Sequence, residues 1–471
     1  MRIKFCGAAQ TVTGSSHLLT LNNGYTILLD CGLYQGIEDK FEDFNQTWNF
    51  KPSDIDCVIL SHAHIDHSGR LPQLVKDGYT GPIYATDATR DLCAIMLMDS
   101  AYIQVRDAEF LNKQKDERND GKTDRPLYTP KDVAPCINAF TTFGYGKWNT
   151  IAEGLEVQFR DSGHILGSAS VTLRIQKNEY KTITFGFTGD IGRPERPILR
   201  DPVPMPLCDY LICESTYGGR SHDSHPDEKA KLLRIIHETC VENQGKLLIP
   251  AFSVGRTQEI VYILDQLENE GKLPKIPVYV DSPLAINATD IFQWHPECFD
   301  SEILAYMIED PNPFGFNDLH YIRSVTISKK LNESKDPCII ISASGMITAG
   351  RIKHHIFNNI EDPRCTVLIV GFAPPHTIGG QLRAGAESIK IFGALKRVNA
   401  RVEVMDSFSA HGDQSEMLEY LDNQDRKKLK QVFLVHGDYP RQKDFKSALK
   451  EAGFEKVAIP RLKDEFQFED N

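Results

Sequence analysis

Histidine and aspartate side chains crowd the segment SHAHIDHSG, residues 61–69, directly after the apolar run 58–60. Four of them, His62, His64, Asp66 and His67, fall within six positions. Imidazole nitrogens and carboxylate oxygens are ligands of zinc and similar divalent ions when their lone pairs are free at neutral pH. A single histidine at a strand end is usually a surface or capping group. Four such groups at one strand end instead predict a metal site.

The spacing within this segment predicts two metal ions. The pair His62-x-His64 presents two imidazoles on the same side of an extended loop, whereas Asp66 and His67 point differently. Two ions a few ångströms apart, sharing one carboxylate, solve that geometry. Further candidate ligands follow later strands, at His164 in DSGHILGSAS and at an aspartate in FTGDIG.

Size and composition restrict the number of domains and the class of protein. A chain of 471 residues is long enough for two to three domains, and its net charge of −12 does not indicate a nucleic-acid binder, although one cleft can still focus positive potential. The 11 cysteines are scattered without a CxxC pair, which predicts small buried side chains in a reducing cytoplasm. No apolar run approaches the roughly 18 residues of a membrane span. We therefore expect a cytoplasmic protein without membrane contact.

The elements that must position these residues change character along the chain. Short β-branched runs separated by turn signals fill residues 1–100, and the strand pattern resumes from about 150 to 190. Residues 101–131 between them carry charges of both signs, which predict a solvated helix and loop, with a lid as the alternative. From residue 210 apolar strands alternate with helical segments, which predicts a parallel sheet covered on both faces. After residue 395 the chain returns to strands around RVEVMDSFSAHGD and KQVFLVHGD.

The motifs resemble those of a known family. SHAHIDHSG, DSGHILGSAS and FTGDIG are similar, in order, to the signature of the metallo-β-lactamase superfamily, and LICESTYG, FSAHGD and LVHGD resemble motifs A, B and C of its β-CASP group. That group includes bacterial and archaeal relatives of the endonuclease subunit of the pre-mRNA cleavage and polyadenylation factor. The resemblance implies an α/β fold: an αββα sandwich, 1–209 and 396–471, with an inserted β-CASP α/β domain, 210–395.

The resemblance also implies roles for the site residues. It implies two Zn²⁺ ions, with Mn²⁺ as the alternative metal. The first ion would be held by His62, His64 and His164, and the second by Asp66, His67 and His436. Asp190 would bridge both ions, and Asp30 would orient the histidine loop by hydrogen bonds.

Catalytic and substrate-binding residues are implied in the same way. Glu214, which follows the first strand of the predicted insertion, and His411 would form a catalytic pair, with Asp66 also counted as catalytic. A histidine can protonate a leaving 3′ oxygen near neutral pH. The turn SASGM offers small residues and backbone N–H groups as an anion cradle. The expected phosphate or RNA contacts are Ser342, Ser344, Gly345 and Arg256.

The implied activity is hydrolysis of single-stranded RNA, by internal or 5′→3′ exonucleolytic cleavage. His436 favours RNA, because DNA-directed members usually have valine there, and homodimers occur in the group. The alternatives are a hydrolase acting on DNA or a small molecule, and a non-catalytic RNA-binding subunit, which typically loses metal ligands. One departure bears on substrate preference: residues 371–382 read GFAPPHTIGGQL, with Gly380 where the family carries arginine and Arg383 or Lys390 as substitutes.

Overall fold

The fold is taken from a computed structural model, which describes residues 1–36, 43–116, 123–178, 180–222, 227–371, 373–405 and 409–468. Two compact units can be distinguished. Unit 1 comprises Met1–Glu195, Arg200–Ser221 and His411–Asn471, and unit 2 comprises Arg196–Leu199 and His222–Ala410. None of the helices in the described part of the chain is both long enough and apolar enough to cross a bilayer.

Unit 1 begins with a strand-rich segment. Its first strands are β1 (Arg2–Phe5), β2 (His17–Thr20), β3 (Thr26–Leu29), β4 (Cys57–Ile59), β5 (Ile83–Ala85) and β6 (Phe140–Thr142). The helices among them are α1 (Ile65–Ser68), α2 (Leu71–Lys76), α3 (Asp87–Asp116) and α4 (Pro130–Asn138). Five more strands follow: β7 (Asn149–Ala152), β8 (Leu155–Asp161), β9 (Ala169–Asn178), β10 (Lys181–Phe187) and β11 (Tyr210–Cys213).

Unit 2 alternates strands and helices, as its apolar runs predict. The strands are β12 (Lys246–Pro250), β13 (Val278–Val280), β14 (Leu319–Tyr321), β15 (Cys338–Ser342), β16 (Thr366–Val370), β17 (Ser388–Ile391), β18 (Ala394–Arg397) and β19 (Arg401–Met405). The helices are α5 (Glu228–Ile236), α6 (Arg256–Asn269), α7 (Pro283–Trp294), α8 (Ser301–Glu309), α9 (Val325–Glu333), α10 (Ile352–Asn359) and α11 (Ile378–Arg383). Six strands form a parallel sheet in the order β14-β13-β15-β12-β16-β19, and β17 pairs with β18.

The chain returns to unit 1 with its last elements: α12 (Gln414–Tyr420), β20 (Gln431–Leu434), α13 (Tyr439–Glu451), β21 (Val457–Ala458) and β22 (Glu465–Gln467). Unit 1 contains two seven-stranded sheets, ordered β22-β1-β2-β3-β4-β5-β6 and β21-β20-β11-β10-β9-β8-β7. One buried cluster joins the facing strands of both sheets, with Phe5 and Ile59 from the first and Phe159, Phe185 and Phe433 from the second. This sandwich and the parallel sheet of unit 2 confirm the predicted fold class.

Strand pairing shows which unit contains each of the segments next to the predicted domain bounds. The apolar strand β11, predicted to open the insertion, pairs with β10 and β20 inside unit 1. The strand β19, predicted to lie in the returning segment, pairs with β16 in unit 2. An apolar run does not specify which sheet its strand joins, because a strand that is buried on both faces has the same kind of apolar sequence in either sheet. The division into 1–209, 210–395 and 396–471 stays a prediction.

Two smaller predictions concern cysteines and the charged segment. All of the 11 cysteines are buried and unbridged, as their apolar surroundings predicted. In the charged segment, α3 continues to Asp116 with exposed side chains at Tyr102, Phe110 and Leu111, and residues 117–122 lie outside the described residues.

A buried polar network stabilises unit 2 around Asp281, directly after β13. Its Oδ1 accepts a hydrogen bond from Nη1 of Arg351 at 2.6 Å. Its Oδ2 lies 2.7 Å from Nε2 of His355 and accepts the hydroxyl of Ser328 at 2.5 Å. Burial alone would raise the pKa of Asp281, but hydrogen bonds from these three partners lower it. The carboxylate is therefore the stable form, and it links α9, α10 and the strand end.

We expect Asp281→Asn to lower the free energy of unfolding at pH 7 by at most roughly 3–5 kcal/mol, because it leaves the partly buried guanidinium of Arg351 without its charge partner. Because the pKa of Asp281 is lowered in the folded protein, its carboxylate contributes fully to stability above about pH 4. This contribution is lost as the pH falls through the pKa of Asp281 in the folded protein. Urea unfolding of the variant and the wild type at pH 7 and below pH 4 measures this contribution to the free energy of unfolding. Asp318→Asn, an exposed matched change, should have little effect, and equal losses in the two variants would contradict the assignment.

Candidate metal centre

Seven candidate ligands lie at the ends of strands in unit 1. The histidine loop follows β4, His164 follows β8, Asp190 follows β10 and His436 follows β20. The strands β10, β11 and β20 are mutually parallel, so the residues after them emerge at one edge of their sheet. The parallel pair β3 and β4 similarly brings Asp30 beside the histidine loop. Distant parts of the sequence therefore converge because strand ends converge.

The first donor set has the dimensions of a tetrahedral metal site. Nδ1 of His64 lies 3.1 Å from Nε2 of His62 and 3.2 Å from Nε2 of His164. The Oδ2 atom of Asp190 lies 3.5 Å from both of those Nε2 atoms. Metal–ligand bonds of 2.0–2.1 Å in a tetrahedron separate ligand atoms by about 3.3 Å. These four donors therefore fit one zinc-sized ion without rearrangement.

The second donor set lies beside the first. Nε2 of His67 and Nε2 of His436 are 3.1 Å apart, and Oδ2 of Asp66 is 3.3 Å from the latter atom. Asp190 Oδ2 is also 3.4 Å from Nε2 of His67. The same oxygen therefore faces both sets, which is the placement a bridging carboxylate requires. Its companion Oδ1 is buried, lies 3.4 Å from Nδ1 of His436 and has no hydrogen-bond partner among the described residues.

Asp30 supports the histidine loop from behind. Its Oδ2 lies 2.6 Å from Nδ1 of His67 and accepts the hydroxyls of Ser15 and Ser61 at 3.0 Å. Its Oδ1 accepts the backbone N–H of Ser61 at 2.8 Å. A carboxylate on Nδ1 fixes the ring and directs Nε2 towards the ligand position. The loop also packs very closely here: a Cβ on Gly32 would lie 1.7 Å from the carbonyl oxygen of Asp66, so glycine is required.

Burial and the clustered charges set the protonation states. Burial lowers the pKa of His62 well below its usual value and that of His64 to about 4, so both rings are neutral and can donate a lone pair. Burial would also lower the pKa of His67, but Asp190, Asp30 and Asp66 raise it well above the usual value. Metal binding at the second set must therefore displace a proton from His67. The concentration of carboxylates favours a divalent cation.

His411 and Glu214 form a pair beside the donor sets, within unit 1. Nδ1 of His411 lies 3.3 Å from both carboxylate oxygens of Glu214 and 3.9 Å from Oδ2 of Asp190. Glu214 is fully buried and also accepts the backbone N–H of Ile191 at 2.5 Å. Burial alone would lower the pKa of His411, but Glu214, with Asp190 and Asp66, raises it to about 9.

Three side chains that were not singled out in the sequence complete this region. Ser15 and Ser61 hold Asp30, as described above. The hydroxyl of Thr216 lies 3.0 Å from Nδ1 of His436 and also donates to the carbonyl oxygen of that residue at 3.0 Å. The position of Thr216 two residues after Glu214 in LICESTYG was the available signal. His436 itself has a left-handed backbone, φ 50°, which turns its ring towards the donors.

The predicted phosphate and RNA contacts lie in unit 2, where each has neighbours of its own. Ser342 is buried and donates to the carbonyl oxygen of Asp281 at 2.7 Å, and the Ser344 hydroxyl lies 3.2 Å from that of Thr348. A Cβ on Gly345 would lie 3.1 Å from the ring of Phe252. Arg256 is buried and pairs with Glu259. RNA contact by these residues stays a prediction.

Within the departing segment 371–382, the backbone at Gly380 leaves no room for a side chain. A Cβ on Gly380 would lie 2.0 Å from the carbonyl oxygen of Pro374, so an arginine could not occupy this position without moving the backbone. Thr377 begins α11 by accepting the backbone N–H of Gly380 at 3.1 Å. Arg383 donates to the carbonyl oxygen of Gly371 at 3.4 Å. Residue 372 of this segment lies outside the described residues.

Comparison with known proteins gives a consistent family. Family models match for the metallo-beta-lactamase superfamily at residues 10–236, the Beta-Casp domain at 257–382 and the Zn-dependent metallo-hydrolase RNA specificity domain at 396–460. The chain is 35% identical to Ribonuclease TTHA0252 of Thermus thermophilus, over 93% of both chains. It is 30% identical to Transcription termination factor FttA of Methanocaldococcus jannaschii, over 98% of this chain and 70% of that protein. These matches confirm the family predicted from the motifs: the chain belongs to the β-CASP group of metallo-hydrolases in the metallo-β-lactamase superfamily.

Proposed function

We propose that this protein is a ribonuclease that hydrolyses phosphodiester bonds of single-stranded RNA with two zinc ions bound in unit 1. The observation that carries the proposal is the position of Asp190 Oδ2, 3.5 Å from the first donor set and 3.4 Å from the second. A single-ion hydrolase needs only one such set. Two sets sharing a carboxylate suit a reaction in which both the attacking and the leaving oxygen must be stabilised.

The choice of RNA rests on the relatives. Ribonuclease TTHA0252 covers nearly the whole chain, and the RNA specificity domain at residues 396–460 includes both His411 and His436. Thus two of the residues assigned to the site lie in the segment whose family description names RNA. The presence of every predicted ligand also argues against a non-catalytic subunit.

In this proposal the protein supplies the ligands and their orientation. His62, His64 and His164 would hold one ion, Asp66, His67 and His436 the other, and Asp190 both. When bound, the ions would supply Lewis-acid activation of an attacking water and would neutralise charge on the phosphate. Nitrogen and carboxylate donors with these spacings suit zinc, and Mn²⁺ is the alternative.

We assign His411 as the general acid that protonates the leaving 3′ oxygen. Glu214 would hold Nδ1 and favour the imidazolium, so that Nε2 is the nitrogen that gives up the proton. Because Glu214 is fully buried, its carboxylate is shielded from solvent and interacts strongly with the ring.

The metal assignment predicts two ions per chain and a specific loss in Asp190→Asn. A neutral amide cannot balance two cations, so we expect this variant to retain at most one ion and almost no nuclease activity. His436→Asn should empty mainly the second site, since asparagine tolerates the left-handed backbone that a β-branched residue would strain. Elemental analysis after zinc reconstitution measures the number of ions that each variant binds.

The matched control is Asp161→Asn, another buried aspartate at a strand end of unit 1. Its pKa is raised by burial to about 7, and its Oδ1 accepts the N–H of Gly163 at 3.0 Å, which an amide oxygen can also do. This variant should keep both ions. A wild-type protein that never binds more than one ion would refute the two-metal assignment.

The general-acid assignment predicts that His411→Ala lowers the single-turnover cleavage rate by about 10²–10⁴-fold while two ions and RNA still bind. Glu214→Gln should lose less rate. A general acid acts in its protonated form, and the neutral amide would lower the pKa of His411. The basic limb of the pH–rate profile should therefore move to lower pH in that variant.

Metal content separates this role from a structural one. Loss of an ion in His411→Ala would make His411 a ligand, and an unchanged cleavage rate would mean that the proton comes from another group.

The substrate assignment predicts that single-stranded RNA is cut faster than DNA of the same sequence by about tenfold or more, since only RNA offers the 2′-hydroxyl. Binding should weaken as salt increases and should tolerate changes of sequence. Labelled oligonucleotides at two salt concentrations, with generic ester and lactam substrates in parallel, measure this. Equal rates on the two nucleic acids, or turnover of the small substrates alone, would contradict the RNA assignment.

A further inference from the structure

The hairpin of β17 and β18 in unit 2 has a tip of only two residues, because Ile391 pairs with Ala394. The tip residues are Phe392 and Gly393, and both have a left-handed backbone, with φ angles of 49° and 81°. Two-residue hairpin loops of this kind favour asparagine or aspartate before the glycine, since most other side chains are strained at positive φ. The backbone of the tip therefore does not account for a phenylalanine at its first position.

Packing of the hairpin against the rest of unit 2 does not account for this phenylalanine either. Ile389 and Ile391 anchor the hairpin, and each is only 1% exposed within a buried cluster. Phe392 is instead 50% exposed. A Cβ on the neighbouring Gly393 would meet no atom within 4 Å, so the tip projects into open space. An exposed ring held in a strained turn indicates a function other than packing.

The ring of Phe392 forms a flat aromatic surface with His354 of α10. The centroids of the two rings are 4.6 Å apart, and their planes are inclined by 30°. His354 remains exposed, although its neighbours cover part of the ring. This partial burial lowers its pKa, and the charges of His355, Lys353 and Lys329 lower it further. At pH 7 the pair is therefore an uncharged aromatic surface.

Positive charge lies beside this aromatic pair. Nζ of Lys353 is 5.0 Å from the centre of the Phe392 ring, and Lys329 is close enough to His354 to lower its pKa. In the described part of the chain, neither lysine forms an ion pair with a carboxylate. In a chain with a net charge of −12, two uncompensated cations beside stacked rings are suited to an anionic ligand that carries flat groups.

Single-stranded RNA has both of the features that this surface is suited to bind. Its unpaired bases are flat and stack on aromatic side chains, while its phosphates attract lysines. Duplex RNA buries the faces of its bases within the helix, and an acidic peptide carries negative charge without a regular succession of flat rings. The combination therefore favours a single strand over both.

We propose that Phe392 and His354 stack on a base of single-stranded RNA, with Lys353 and Lys329 binding the neighbouring phosphates. The proposal rests on the ribonuclease function proposed above for the identity of its ligand. It adds a substrate-binding surface that is carried by unit 2 alone and that holds the RNA without taking part in its hydrolysis.

Photocrosslinking of RNA to the full, zinc-loaded chain tests the position of the strand directly. The probe is a single-stranded oligonucleotide with 5-iodouridine in place of uridine and with phosphorothioate linkages, which keep the negative charge and resist hydrolysis. Irradiation joins an iodinated base to an aromatic ring in contact with it. We expect mass spectrometry to find the base on Phe392 or His354, and the absence of crosslinks at both residues would overturn the proposal.

Phe392→Asn separates RNA binding from folding, because asparagine suits the left-handed tip better than phenylalanine does. We expect its thermal unfolding temperature to be unchanged or higher, whereas its affinity for the same RNA in fluorescence anisotropy should fall by about tenfold or more. Phe392→Tyr keeps a ring and should bind like the wild type. The matched control is Trp294→Ala, which removes an exposed ring at the end of α7 and should also leave the affinity unchanged.

Lys353→Gln tests the phosphate contact. Each cation that neutralises a phosphate of a single strand adds about 0.7 to the slope of log affinity against log salt concentration. The slope should become shallower by about that amount in Lys353→Gln and stay unchanged in Lys275→Gln, an exposed lysine before β13. Wild-type affinity in Phe392→Asn, or equal slopes for the two lysine variants, would mean that the hairpin serves another partner, such as a protein, and would overturn the proposal.

Cleavage kinetics distinguish this proposal from the ribonuclease assignment on which it rests. A contact that only holds the substrate stabilises the bound substrate and the transition state equally, so Phe392→Asn should raise KM for unmodified RNA by about tenfold and leave kcat unchanged. Cleavage with an unchanged KM would overturn the hairpin proposal alone. A wild-type protein that crosslinks through Phe392 but does not cleave RNA would overturn the ribonuclease assignment alone.

Discussion

Repulsion among buried lone pairs is the constraint on which unit 1 depends. One carboxylate oxygen, Asp190 Oδ2, lies within 3.5 Å of ring nitrogens from His62, His67 and His164. These groups are buried, and the carboxylate and the ring nitrogens that face it cannot all be satisfied by hydrogen bonds to one another. Only cations at the centre make every donor favourable at once. We therefore expect the folded protein to be more stable with metal bound, so that metal affinity would be in part folding free energy.

The rest of the sandwich holds these donors in the positions that a bound cation would require. Strands from both sheets end at the site, and their other halves lie in one apolar core. Asp30 and Thr216 then fix two rings through their Nδ1 atoms, one from each sheet. Glu214 holds a third ring, that of His411, through the same ring nitrogen. The same device, a side-chain oxygen on Nδ1, thus orients all three rings.

The sequence could single out the candidate donor residues, which the structure brings together, because their motifs are local and each follows an apolar strand. It could not predict which sheet receives β11, since pairing with β20 joins residues more than two hundred positions apart. Hydroxyl groups such as Ser15 and Thr216 were missed, because serine and threonine are common in turns and their partners become visible only in three dimensions. Likewise, the glycine at position 380 looked like a lost arginine, whereas packing against Pro374 leaves no room for a side chain.

The interrupted sequence of unit 1 has a consequence for the newly made protein. A chain translated only as far as residue 400 contains the histidine loop, His164 and Asp190, but neither His411 nor His436. It also lacks β20 and β21, so the second sheet is open at that edge. Because segments fold in the order in which they leave the ribosome, the second donor set and the pair of His411 with Glu214 are completed only after unit 2 has been made. If cleavage needs the second donor set or His411, as proposed, it would begin only after most of the messenger RNA for this chain has been read.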